Sequence, residues 1–276
     1  MSRALEPPVS SAWLAVYTLA QREWVRFIRQ GNRVFGAIGQ PVIFWLLFGA
    51  GLGPSFVLPG AAPGISYREY FFPGSLILIL LFTAIFATIS IIEDRREGFL
   101  QSVLVAPLPR WAMVLGKVLG GSLIALAQGL LFLLLGLVVG IQLSPLLFGV
   151  VACFLCLVAV ALVSLGFVLA WRLDSTQGFH AIMSVLLLPM WLLSGAFFPP
   201  GDGVLAWIIR LNPLTYSVAG LRRLLYWQAP AELQAAALPA GLPSMTTSLV
   251  VTIVFAVIAF GFACIVAKRR TSGDLL

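Results

Sequence analysis

The groups best equipped for chemistry in this sequence stand together in one short stretch. Within IIEDRREGFLQSVLVAPLPR, residues 91–110, three acids and two arginines occupy five consecutive positions, Glu93, Asp94, Arg95, Arg96 and Glu97. Elsewhere reactive side chains are sparse. His180 is the only histidine, so a histidine-rich metal centre within one chain is excluded, and no H-E-x-x-H occurs. Ser164 and Ser194 have no His or Lys base nearby in sequence and lie in apolar runs, where small residues serve helix packing. Cys153 and Cys156 form a C-x-x-C, but in the middle of another apolar run; a thiolate would be costly there, so packing is the expected role, as for Cys264. No G-x-x-x-x-G-K-[ST] loop is present to hold a nucleotide. Enzymatic chemistry is therefore disfavoured. If the protein drives anything uphill, the energy has to come from another polypeptide.

The elements around the charged stretch explain its setting. Of 276 residues, 61% are hydrophobic and only 10% charged, against roughly 25% charged in soluble domains. About 20 apolar residues cross a bilayer as a helix, and six such runs occur, at about 34–53, 71–92, 111–139, 145–171, 181–198 and 245–267. They are continuous rather than alternating, which argues against a transmembrane barrel. The expected fold is all-α, one membrane domain over residues 1–276 with six transmembrane helices. The first forty residues lack a short apolar core with a small-residue cleavage site, so no cleavable signal peptide is expected.

Six spans put both termini on one side, and lysine and arginine near the span ends are retained in the cytoplasm. With the N-terminus inside, thirteen of the 17 basic residues fall on inner segments; only Arg68, Arg210, Arg222 and Arg223 fall outside. Both termini are expected in the cytoplasm. The net charge of +7 then needs no nucleic acid, because anionic headgroups are the natural partner of basic inner loops. Between the ends of the spans Lys117 is the one charged residue, close to the inner interface, which gives little support to ion-coupled transport.

Two further segments carry a pattern. Over about residues 11–33, Arg22, Arg26, Arg29 and Arg33 recur at helical spacing on one stripe, with Trp13, Tyr17, Trp24 and Phe27 opposite. That predicts a helix in the membrane surface, basic face toward headgroups and aromatic face in the acyl boundary; an ordinary positive flank of the first span is the alternative. Between spans five and six, VLAWIIRLNPLTYSVAGLRRLLYWQ is largely apolar, and Asn212-Pro213 divides it into pieces too short to span. A re-entrant helix-break-helix in the outer leaflet is expected, with a loose surface loop as the alternative.

Taken together, Glu93 to Phe99 followed by Pro107, Arg110, Gly116 and Lys117 resemble the inner loop of permease subunits of type-2 ATP-binding-cassette exporters. LSGAFFPP at 193–200 and NPLTYSVAGLRRLLY at 212–226, with Tyr216, Arg222 and Arg223, resemble that family's late signature. The likeness covers essentially the whole chain. Gly98-Phe99-Leu100-Gln101 stands where many members carry Gly-Thr and an acid, a variant similar to the drug and lipo-oligosaccharide export branch.

The resemblance implies a multi-pass protein of the bacterial inner membrane, working as two permease copies on two copies of a separate ATPase. ATP and Mg would be bound there and no cofactor by this chain. Gly98 to Val105 would be a cytoplasmic coupling helix seated in the ATPase, with Phe99, Leu100, Val103 and Leu104 as its apolar face and Pro107 as its stop. The alternative is a solvated turn whose apolar face packs on its own bundle. An amphipathic drug-like or lipid-type cargo ranks first, a lipid-linked glycan second; a non-transporting scaffold of the same fold is the reading from another class.

Overall fold

The computed structural model describes residues 9–51, 65–197, 203–239 and 241–268. Expectations resting on Arg3, on the loop from Gly53 to residue 64, on Phe198, Pro199 and Pro200, and on Arg269 and Arg270 lie outside those residues. Among the described residues every regular element is helical. In chain order they are α1 (Val9–Arg29), α2 (Gly31–Gly51), α3 (Tyr67–Arg96), α4 (Phe99–Val105), α5 (Arg110–Leu133), α6 (Pro145–Trp171), α7 (Thr176–Trp191), α8 (Val204–Leu211), α9 (Pro213–Leu225), α10 (Ala231–Ala237) and α11 (Met245–Lys268). A 3-10 turn, Leu134–Val139, extends α5, and a π turn, Leu192–Ala196, extends α7.

Six helices are long and apolar enough to cross a membrane: α2, α3, α5 with its extension, α6, α7 with its extension, and α11. The chain is a multi-pass, all-α membrane protein. One boundary corrects the sequence reading. The span expected to stop at residue 92 continues through Arg96, so the charged cluster is the last turn of a transmembrane-length helix and not the start of a loop.

Local chemistry fixes the ends. Ser66 and Glu69 form a reciprocal capping box at the start of α3. Ser144 and Ser175 accept hydrogen bonds from Leu147 and Gly178 backbone N–H groups at the starts of α6 and α7. Between α3 and α4 the chain reverses through Gly98, whose φ of 79° lies in the left-handed region where glycine is at ease. Ala106 is extended because Pro107 follows it, which ends α4.

α3 is the centre of the bundle. From Phe71 to Ile92 every residue but Phe82 and Phe86 is buried, with α2, α5, α6, α7 and α9 packed around it. α1 lies lengthwise on α5, running in the same direction: Trp13 meets Trp111 edge-on at 5.6 Å, Val16 and Leu19 abut Gly116, Ala20 and Glu23 abut Gly120, and Phe27 joins Ile124 and Ala37. Gly116 and Gly120 form a G-x-x-x-G that lets the two backbones approach. The amphipathic N-terminal helix is therefore part of the bundle. Trp13, Tyr17 and Trp24 are exposed, whereas Phe27 is buried.

At the end of the bundle away from α4, α8 and α9 meet at 80° around Asn212. Pro213 is suited to the first position of α9, where its missing N–H costs nothing. Asn212 Oδ1 caps Leu214, and its Nδ2 donates to the carbonyls of Met190 (2.5 Å) in the last turn of α7 and Leu193 (3.0 Å) in the π turn that extends it. One side chain thus holds three backbone groups of two elements. Asn212→Ala is expected to cost about 2–3 kcal/mol, the sum of a lost cap and unsatisfied buried carbonyls; the thermal aggregation midpoint of the purified protein in detergent measures it. Arg222 is buried beside this junction, 1% exposed. Its Nη2 donates to the carbonyls of Tyr70 (3.1 Å) and Gly195 (3.4 Å), and its guanidinium lies 3.8 Å over the Tyr70 ring.

Candidate functional site

The charged turn of α3 and the basic stripe of α1 meet in one buried ion cluster. Arg22 grips Asp94 as a fork, Nη1 to Oδ2 at 3.0 Å and Nη2 to Oδ1 at 2.7 Å. Arg26 donates to Asp94 Oδ1 at 2.5 Å, to Glu93 Oε2 at 2.9 Å and to Glu97 Oε1 at 3.0 Å. Arg33, at the start of α2, pairs with Glu93. Lys117 reaches back from α5 to Asp94 and, at 2.5 Å, to Glu23 of α1. Four cations, Arg22, Arg26, Arg33 and Lys117, thus face four carboxylates, Glu23, Glu93, Asp94 and Glu97. The cluster is neutral.

Its burial sets its energetics. Asp94 is 0% exposed and Glu23 and Lys117 nearly so; such charges are tolerable only when paired and hydrogen-bonded. Burial works against the charge on Arg26, but the carboxylates of Asp94, Glu93 and Glu97 outweigh it and raise the guanidinium pKa above its ordinary value. The arginine stripe is therefore corrected as a headgroup surface. Arg22, Arg26 and Arg33 are turned toward carboxylates of their own chain, while Arg29 is exposed.

A second tie joins the same turn to the α6–α7 connection. Arg95, itself buried, donates to the Trp171 carbonyl at 2.7 Å, the Leu173 carbonyl at 3.2 Å and Asp174 Oδ1 at 3.2 Å. Arg96 donates to the Asp174 carbonyl through Nε and Nη2. The last turn of α3 is thereby fastened to α1, α2, α5 and the α6–α7 turn. α4 hangs directly from it.

The expected docking residues divide on packing. Leu100 is 2% exposed and belongs to the core. Phe99, Val103 and Leu104 are half-buried against that core, with Arg22 stacked 3.7 Å over the Phe99 ring. Most of the apolar face of α4 is turned onto its own bundle. The residues that stay exposed around it are Arg96, Glu97, Gly98, Ser102, Val105 and Pro107, with Val105 85% exposed. Arg110 is half-buried as the first residue of α5. Glu23 and Asp174 complete the site without having been expected in it, and Lys117, named with the inner loop, takes part as an ion partner that its position in a span did not suggest. Glu23 stands as the only acid in the basic α1 and Lys117 as the only charge between the ends of the spans expected from the sequence, and each was a legible sign of a buried partner.

A different surface faces outward at mid-bundle. Gln40 of α2, Phe82 and Phe86 of α3, and His180 and Ser184 of α7 line a cavity of about 260 Å³. It presents hydrogen-bonding groups and aromatic rings without Asp, Glu, Lys or Arg.

The model of a family described as ABC-2 type transporter matches residues 15–226. The putative transport permease ycf38 of Cyanophora paradoxa is 30% identical over 217 residues, which cover 75% of this chain and 72% of that protein. Nodulation protein J of Rhizobium leguminosarum bv. viciae is 27% identical over 230 residues, 80% of this chain and 85% of that one. The inner membrane transport permease YadH of Escherichia coli K12 is 27% identical over 222 residues, 76% and 82% respectively.

Proposed function

The chain belongs to the ABC-2 type transporter family, and from that premise we propose that it is the membrane subunit of an ATP-driven exporter. In this reading two copies assemble in the bacterial inner membrane with both termini in the cytoplasm. A separate ATPase, also in two copies, binds ATP and Mg, and α4 is the coupling helix that meets it. α8 and α9 form a re-entrant pair at the outer face.

The observation that carries the reading is the ion cluster at the base of α4. A coupling element has to pass displacement to the spans instead of yielding locally. The last turn of α3 is tied by charge-assisted bonds to α1, α2, α5 and the α6–α7 turn, so a push on α4 meets a stiff base that moves several spans together. The cargo best suited to the cavity of Gln40, Phe82, Phe86, His180 and Ser184, which has no Asp, Glu, Lys or Arg in its lining, is an amphipathic drug-like or lipid-type molecule, whose polar part finds donors and acceptors and whose body finds rings.

Val105 supplies the test. Because it is exposed, Val105→Asp leaves the core intact while placing a charge on the face offered to the ATPase. Expression and membrane insertion should be unchanged, and co-purification of the partner ATPase should fall by about thirtyfold or more, as for a charge buried unpaired in an interface. Full co-purification with the variant would remove α4 as the docking element.

A further inference from the structure

We propose that the pocket between α6, α9, α10 and α11 is a binding site for an anionic phospholipid of the surrounding bilayer, with its phosphate on Arg223. The pocket encloses about 420 Å³, within the range of ordinary small-molecule sites. Its walls are mostly apolar, with Val150 from α6, Leu224 from α9, Leu238 after α10 and Met245 from α11, beside the polar Gln234 and Tyr226. Trp227 lines it and is exposed, an amphipathic ring of the kind that collects at headgroup level.

Charge decides what fits. Arg223 donates through Nε to the Pro243 carbonyl at 2.6 Å and through Nη2 to the Leu242 carbonyl at 2.9 Å. Among the described residues its Nη1 has no hydrogen bond and the guanidinium has no carboxylate partner. Two backbone carbonyls thus hold the side chain in place while no carboxylate of the described residues pairs with its positive charge. The near end of α11 adds the partial positive charge of a helix N-terminus. A phosphate is the complement, and the apolar walls call for an acyl chain behind it.

Position selects the bilayer as the source. Met245 is the first residue of α11, and Val150 lies five residues, about 7.5 Å at 1.5 Å per residue, into α6. The pocket therefore sits where spans meet the headgroup region. Further into the bilayer α11 exposes Leu249, Val250 and Ile253, an apolar track on which a chain leaving the pocket lies among other lipids. None of this depends on export or on an ATPase.

The experiment is native mass spectrometry of the full chain purified in detergent with equal amounts of phosphatidylglycerol and phosphatidylcholine. Wild type should retain phosphatidylglycerol preferentially. Arg223→Gln should lower that retention on the order of tenfold, the worth of one charge-assisted hydrogen bond, whereas Arg223→Lys should keep the preference. Val150→Trp, which fills the opposite wall, should lower retention of both lipids. Equal retention of the two lipids by wild type would overturn the proposal, as would phosphatidylglycerol retention untouched by Val150→Trp. Displacement of the lipid by an equal concentration of glycerol 3-phosphate would assign the site to a soluble phosphate and also overturn it. If Arg223→Gln fails to fold after losing its two carbonyl contacts, the lysine and tryptophan variants decide.

Discussion

Asp94→Ala is expected to be among the most damaging single substitutions in this protein. It removes the carboxylate on which Arg22, Arg26 and Lys117 converge and leaves Lys117 buried with Glu23 as its one remaining partner. Breaking a buried ion pair from one side costs about 3–5 kcal/mol, because the surviving charge stays desolvated. At roughly 2–4 °C per kcal/mol for a chain of this size, the thermal midpoint in detergent should fall by about 10 °C. Lys117→Met should show a loss of the same order for the mirrored reason. The double variant should lose less than the two single losses added, since each deletion removes the group stranded by the other. Strict additivity, or an Asp94→Ala midpoint within a degree or two of wild type, would show that the cluster does not hold this end together.

That prediction follows from a feature only half legible in the sequence. The spans could be read because length and apolarity state them directly, and the α8–α9 break could be read because Asn212-Pro213 carries its own backbone chemistry. EDRRE was visible as an anomaly, but its charges suggested a surface meeting a partner, and the arginines of α1 suggested a surface meeting headgroups. Instead the three acids pair with Arg22, Arg26 and Arg33, and Arg95 and Arg96 hold the α6–α7 turn. Arg26 and Asp94 are 68 residues apart, and Lys117 and Glu23 are 94 apart; no local periodicity encodes such a pairing. α1 on its own looks amphipathic toward a membrane because the acids that neutralise it belong to another helix.

Packing decided the outcome at α4 too. Phe99, Leu100, Val103 and Leu104 form an apolar face by spacing alone, and spacing does not say whether that face meets a foreign protein or its own bundle. The left-handed turn at Gly98 folds α4 back so that Leu100 enters the core under the last turn of α3. The outward face is consequently smaller and more polar than the helix pattern suggested, with Val105 as its most exposed apolar residue.

Gly120→Leu should separate the role of α1 from that of the ions themselves. A Cβ at position 120 would lie 2.7 Å from the Glu23 Cβ and 3.1 Å from the Ala20 backbone, closer than real Cβ contacts, so α1 has to move away from α5. Overpacking by itself costs about 1–3 kcal/mol. Here the displaced helix also carries Glu23, Arg22 and Arg26, so a shift of about an ångström lengthens the bonds to Lys117 and Asp94 at the same time, and the loss should approach that of Asp94→Ala. Gly149→Leu on α6 is the control, since a Cβ there meets nothing within 4 Å and leucine outranks glycine in helix propensity by somewhat under 1 kcal/mol. Thermal midpoints of the two variants should differ by several degrees. Combining Gly120→Leu with Asp94→Ala should add little to either alone, because both act by opening the same cluster. Matching midpoints for the two glycine variants would mean that α1 is not held by close approach to α5, and the ion cluster would then have to position it unaided.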